Sequence, residues 1–145
     1  MRVVVQRVSR ASVTVEGETT GAIGTGFLLL VAMHGAESEE DLVWMARRCA
    51  GLRVFQDEAG KMNLALDEVG GAILVVSQFT LYGDCSKGRR PSFVKAGDPV
   101  VSEKLIERFV GLLRAEGLEV ATGRFGAMMK VELVNEGPVT LIIDR

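Results

Sequence analysis

Hydrophobic positions recur with two different periods along this chain, and the alternation between them outlines an α/β protein. Val3-Val4-Val5-Gln6-Arg7-Val8 is rich in β-branched residues, and Ser12-Val13-Thr14-Val15 alternates with period two. Both are strand patterns. Gly17 marks a turn, and Gly21, Gly24 and Gly26 punctuate a hairpin. Phe27 to Met33 is an unbroken apolar run, which predicts a strand buried on both faces. The period then changes. Ser38 and Asp41 stand at capping-box spacing, with Asp in place of the usual Glu. Leu42, Ala46, Cys49 and Ala50 follow at helical spacing. Leu52 to Phe55 predicts a strand, Asp57 to Lys61 a turn, and Ala72 to Ser77 another apolar strand. Asp98 followed by Pro99 opens a second helix, because proline at the first helical position loses no hydrogen bond. Its buried face is Leu105, Phe109, Leu112 and Leu113, and Gly117 closes it in a left-handed cap. Strands from Met129 to Val134 and from Val139 to Ile143 complete the chain, with Gly137-Pro138 between them in the position of a turn.

No repeat, low-complexity stretch or linker interrupts this pattern, so residues 1–145 are expected to form a single domain. The predicted fold class is α/β, with layers of mixed β-sheet in a sandwich or barrel-like arrangement and two main helices. A hydrophobic fraction of 48% supplies a core. The formal net charge of −2 changes the functional picture more. It argues against a protein that grips nucleic acid over its whole surface, and leaves a local grip or one on a nucleic-acid end. Cys49 and Cys85 form no CxxC pair, residues 1–8 do not read as a signal peptide, and the apolar run at Phe27 is too short to span a bilayer. A cytoplasmic protein with free thiols and no membrane partner is expected.

Three segments carry candidate chemistry. Ser77-Gln78-Phe79-Thr80 follows an apolar strand directly, and side chains at a strand's carboxyl end project from a rigid frame. Its hydroxyls and amide either serve a site or satisfy the strand's terminal backbone groups. Lys87, Arg89, Arg90 and Lys95 place four cations within nine residues, the densest basic cluster in the chain. A cluster of this kind is either a solvated loop or a local phosphate grip. The third segment is Asn135-Glu136-Gly137-Pro138-Val139-Thr140. Glycine has no side chain, so a ligand could touch the backbone there directly. His34 is the single histidine, which argues against a His-rich metal site and leaves any Ser-His-Asp triad dependent on it. It follows the buried strand and is read as a strand-end residue. No G-x-S-x-G, G-x-G-x-x-G or phosphate-binding P-loop pattern is present.

Taken in order, these segments resemble the D-aminoacyl-tRNA deacylases over essentially the whole chain. The resemblance is carried by Val5-Gln6-Arg7-Val8, Lys61-Met62-Asn63, Val76-Ser77-Gln78-Phe79-Thr80-Leu81, Gly88-Arg89-Arg90-Pro91-Ser92-Phe93, Gly123-Arg124-Phe125-Gly126-Ala127-Met128-Met129 and Asn135-Glu136-Gly137-Pro138-Val139-Thr140. Ala65 stands where many relatives have serine, and His34-Gly35-Ala36 is not their commonest turn. The resemblance implies an editing hydrolase without metal or cofactor, acting on D-amino acids, and on glycine, esterified to the 3′ end of tRNA. It implies a homodimer whose active site lies at the subunit interface. There the Gly137-Pro138 pair, with a cis peptide bond, reaches into the other subunit's pocket. Ser77, Gln78, Phe79 and Thr80 would then form the catalytic loop. Phe125 and Met129 would bind the terminal adenosine, Arg7 would hold the Gly-Pro loop, and Lys87, Arg89, Arg90 and Lys95 are candidates for tRNA contact.

Overall fold

A computed structural model describes residues 1–145. It is a mixed α/β fold built around one long strand. β1 (Arg2–Val15) pairs antiparallel with β3 (Gly26–Ala32) through its first half and with β2 (Glu18–Ile23) through its second. Nearly its whole length also pairs with β8 (Lys130–Asp144). Beyond β3 the sheet continues in parallel through β6 (Ala72–Ser77) to β7 (Glu119–Thr122). β2 curls back until Gly21 lies against the Thr122 carbonyl of β7, which nearly closes the sheet into a barrel. The small antiparallel pair β4 (Phe55–Gln56) and β5 (Met62–Leu64) stands apart. Helix α1 (Glu39–Ala50) and helix α2 (Pro99–Ala115) pack on one face.

Two cores result. The larger lies between the helices and the sheet, and includes Val3, Val5, Phe27, Leu29, Ile73, Val75, Phe109 and Leu113. The smaller lies inside the curl of the sheet around Val8, Ala11, Val13, Val15, Leu28, Leu74 and Val76. β3 and β6 therefore contribute alternate residues to both cores, which is why their sequences are continuously apolar. β1 serves both cores differently. Its pairing with β8 shifts register on either side of Val8. A shift of one residue exchanges the two faces of a strand, so Ala11, Val13 and Val15 end on the same side as Val8.

Both helix starts follow the sequence. The Ser38 hydroxyl accepts from Asp41 N–H at 3.2 Å while the Asp41 carboxylate accepts from Ser38 N–H at 3.0 Å. Asp98 accepts from Val100 and Val101 N–H ahead of Pro99. Gly117, just past the end of α2, has φ +85°. The Ser38 N–H, the Ser38 hydroxyl and Arg145 hold the Asp41 carboxyl down from 3.8 to about 2. Lowered in the fold, its stabilising effect is complete above the unfolded value and disappears as pH falls from about 4 to 2. The difference in thermal midpoint between wild type and Asp41→Asn should therefore be present at pH 6 and shrink as pH falls from about 4 toward 2. A pH-independent difference would count against this linkage.

Several elements differ from the sequence reading, β5 (Met62–Leu64) among them, which was not expected. The two expected N-terminal strands are one strand, because β8 pairs across the junction. The strand expected over Leu52 to Phe55 begins only at Phe55. β7 carries too short an alternating pattern to stand out, and tertiary pairing with β6 makes it a strand. Gly137-Pro138 is not a hairpin turn: β8 runs antiparallel to β1 on both sides of it, from Val8 opposite Asn135 to Gln6 opposite Thr140. The residues between form a bulge. No helix is long and apolar enough to cross a membrane. Both cysteines are free, and burial pushes the Cys49 thiol up to about 12, while Cys85 is exposed.

Candidate active site

The parallel strands β3 and β6 end side by side, with Val31 opposite Ser77. The carboxyl ends of parallel strands are where open α/β sheets place their ligands. Beyond these ends lies a cavity of about 610 Å³. Ser77, Gln78 and Phe79 line one side and Phe125 and Met129 another. Pro99, Ser102 and Ile106, from the first turns of α2, form part of the wall. The lining is mostly apolar with a few polar groups, the composition of small-molecule sites. Gly97 brings the preceding loop in: its N–H donates to the Met33 carbonyl at 2.9 Å, and a Cβ there would stand 2.7 Å from the Gly35 nitrogen. Only glycine allows that approach.

The chain leaves β6 through Gln78, whose N–H donates to the Val31 carbonyl at 2.8 Å. It then enters a 3₁₀ turn, Phe79–Tyr82. The N–H groups of Phe79 and Thr80 precede the first i to i+3 bond of this turn, donated by Leu81 to the Gln78 carbonyl at 3.1 Å. The Thr80 hydroxyl is exposed and accepts a hydrogen bond from the Gln78 side-chain amide. Thr80 itself does not line the cavity. Phe79 packs edge-to-face on Phe93, ring centroids 5.2 Å apart. Arg2 steadies the far end of the turn, donating to the Leu81 carbonyl at 3.1 Å and lying over the Tyr82 ring.

Gly137 and Pro138 lie elsewhere in the same protomer. Both are exposed, their peptide bond is cis, and neither lines the cavity. Arg7, only 7% exposed, secures the bulge from β1. Its Nε donates to the Glu136 carbonyl at 3.2 Å and its Nη1 to the Val54 carbonyl. Gly137 adopts φ +118°, and a Cβ on it would stand 2.6 Å from Arg7 Nη2. Asn135 closes the bulge in return. Its amide donates to the Arg7 carbonyl at 3.0 Å and to the Val139 carbonyl at 3.1 Å, and Thr140 Oγ1 lies 3.3 Å from its Oδ1. Most of the expected site residues thus form two groups, Ser77, Gln78, Phe79, Phe125 and Met129 on the cavity and Arg7, Gly137 and Pro138 at the bulge, while Thr80 lies on neither.

Lys87, Arg89, Arg90 and Lys95 are all exposed and none is in an ion pair within the chain. Their loop is pinched at its base by paired backbone bonds between Asp84 and Ser92, and Phe93 ties it to the cavity wall. His34 is structural. Its Nδ1 accepts from Ala36 N–H at 3.2 Å and its Nε2 lies 3.5 Å from Glu37. The buried Glu37 carboxylate accepts from the His34 and Gly35 N–H groups and the Met1 ammonium. Burial pushes its pKa up, but these donors outweigh burial and leave it lowered. Ser102 and Ile106 were not singled out from the sequence. Ser102 left a signal, being a polar residue on the buried stripe that continues through Phe109 and Leu113. Asn135 left none separable from the turn-like composition around it.

Known proteins are similar to this chain along its full length. A family model described as D-Tyr-tRNA(Tyr) deacylase matches residues 4–144. A D-aminoacyl-tRNA deacylase of Exiguobacterium sp. is 58% identical over 145 residues, covering 100% of this chain and 99% of the relative. One of Thermotoga petrophila is 56% identical over 144 residues, covering 99% of this chain and 97% of the relative. Among solved structures, one described as c-Myc DNA Unwinding Element Binding Protein superposes with a TM-score of 0.92 at 40% identity, covering 100% of this chain and 99% of that one. With both the sequence and the fold matched from end to end, the chain belongs to the D-Tyr-tRNA(Tyr) deacylase family, a family of enzymes.

Proposed function

We propose that this protein hydrolyses the ester bond of D-aminoacyl-tRNA, releasing tRNA and the D-amino acid, and that it rejects L-aminoacyl-tRNA. The observation that carries the reading is the division of the site residues. A cavity bearing Ser77, Gln78, Phe79, Phe125 and Met129 and a bulge bearing Gly137-Pro138 occur on one chain but do not meet in it. A two-fold homodimer brings the bulge of each protomer to the cavity of its partner. The Gly137 and Pro138 carbonyls then form a wall beside the substrate Cα. Such a wall admits hydrogen and excludes anything larger, and inverting Cα exchanges those two positions. Because the wall is backbone, it is indifferent to which D-side chain is present. Glycine carries two hydrogens on Cα, so glycyl-tRNA is a second substrate. Discrimination by exclusion protects correctly charged L-aminoacyl-tRNA.

In the chemical step, the loop from Ser77 to Thr80 holds the terminal ribose and offers backbone N–H groups to the developing oxyanion. Phe125 and Met129 face the adenine. The ribose 2′-hydroxyl assists the attacking water. The hydrogen bond from Gln78 occupies the Thr80 hydroxyl as an acceptor, and no side-chain base touches it. A nucleophilic hydroxyl needs such a base. Thr80→Ala therefore retains turnover within about threefold of wild type; a loss of roughly 100-fold or more with tRNA binding intact would restore Thr80 as nucleophile. The four exposed cations of the loop beside the cavity contact tRNA phosphates, a local grip that suits an acidic protein acting in the cytoplasm.

The direct test is to incubate the protein with D-tyrosyl-tRNA and L-tyrosyl-tRNA and follow the remaining ester. Hydrolysis of the D-form alone is expected. Hydrolysis of both, or binding of aminoacyl-tRNA with no turnover, would overturn the reading.

A further inference from the structure

One of the two acceptors that fix the Arg7 guanidinium belongs to an element outside both halves of the site. The guanidinium is in no ion pair within the chain. Its two acceptors are both backbone carbonyls, Glu136 in the bulge and Val54 just before β4. Val54 therefore helps to fix the Arg7 guanidinium, and Arg7 Nη2 is the group a Cβ on Gly137 would meet. Val54 is in turn held from both sides. Phe55 is buried and stacks on Phe27, ring centroids 5.2 Å apart. Arg53 reaches across the β4–β5 hairpin, its Nε donating to the Asn63 carbonyl at 2.7 Å and its Nη2 to the Asn63 side-chain oxygen.

We propose that the β4–β5 hairpin belongs to the specificity apparatus, with Arg53 and Asn63 as positioning residues for the Gly137-Pro138 wall. The clamp between them holds the Val54 carbonyl, Val54 holds Arg7, and Arg7 sets how far the bulge projects. The inference rests on the chiral-wall reading above. Neither Arg53 nor Asn63 lines the cavity, so loosening the clamp leaves the catalytic loop untouched. What changes is the clearance at the wall. A wall displaced outward gives an L-side chain room, while the D-substrate, which presents only hydrogen there, loses little. The signature is a change in the ratio of L to D hydrolysis, which a merely structural role would not produce.

The experiment uses the full-length protein with D-tyrosyl-tRNA and L-tyrosyl-tRNA, recording the thermal midpoint beside both rates. In Asn63→Ala and Arg53→Lys the L-to-D ratio should rise on the order of tenfold, with the D rate within about threefold of wild type. Asn63→Asp, which keeps the acceptor, should retain the wild-type ratio. Arg108→Ala, which removes the comparable surface pair with Glu39, should also leave it unchanged. An unchanged ratio in both clamp variants overturns the proposal. So does a parallel loss of both rates with a lowered midpoint, which would make the hairpin structural only. A wild-type protein that does not discriminate fails the wall reading first, before any variant is compared.

Discussion

Gly137→Ala is expected to lower D-aminoacyl-tRNA hydrolysis by about 100-fold. The added Cβ would stand 2.6 Å from Arg7 Nη2 and 3.1 Å from a Val139 methyl, closer than carbon tolerates. The backbone offers no relief, because φ +118° is a region that side chains with a Cβ rarely adopt. Something must shift, and Arg7 is poorly placed to do so. It is 7% exposed and satisfied by two carbonyls, so moving it leaves buried polar groups unpaired at about 1–3 kcal/mol each. The bulge moves instead, away from Arg7 and, on the chiral-wall reading, toward the substrate, where it crowds even a hydrogen on Cα. An inward displacement of about 1 Å is enough to cost two orders of magnitude in rate. Steady-state rates for both isomers, with a melting curve beside them, check this. Turnover within about threefold of wild type would mean that the bulge does not meet the substrate. Mixing Gly137→Ala with Gln78→Ala extends the test. In a two-fold dimer each mixed pair holds one intact composite site, so a random mixture recovers roughly a quarter of wild-type activity. No recovery from subunits that do exchange would place each site within one protomer.

Phe109→Ala is expected to destabilise the protein by about 3–5 kcal/mol. Phe109 is fully buried at the centre of the core between the helices and the sheet. Removing its ring forfeits transfer free energy and leaves a cavity that packed neighbours fill only in part. Against a total of about 5–15 kcal/mol for a typical domain, the loss is a large fraction. Urea unfolding measures it, as a lower midpoint with the slope unchanged. A loss below about 1 kcal/mol would mean that α2 is not anchored there. The consequence reaches the site, because Pro99, Ser102 and Ile106 of the same helix wall the cavity. Activity of the variant should therefore fall at temperatures below its melting midpoint.

The elements read most directly from the sequence are those whose signals are local. Ser38 and Asp41 satisfy each other's groups within one turn, and Asp98 with Pro99 does the same for α2, so nothing distant is needed to place either helix start. The apolar runs of β3 and β6 announce burial on two faces, and they lie between two cores. The candidate loop from Ser77 to Thr80 was visible for the same reason, since it interrupts such a run. The errors fell where pairing outweighs composition. β7 is too short to declare itself without β6 beside it.

The Gly-Pro segment marks the limit. Its composition determined that the backbone there is open to contact, because glycine carries no side chain. Composition could not determine what kind of structure this is, since a turn and a bulge use the same residues. The tertiary structure decided it through β1, which pairs with β8 on both sides of the segment and leaves it no strand of its own to fold back on. It decided the position of the Arg7 guanidinium in the same way. A buried guanidinium is directed by the carbonyls it can reach, and those of Val54 and Glu136 come from parts of the chain that only the folded sheet brings together.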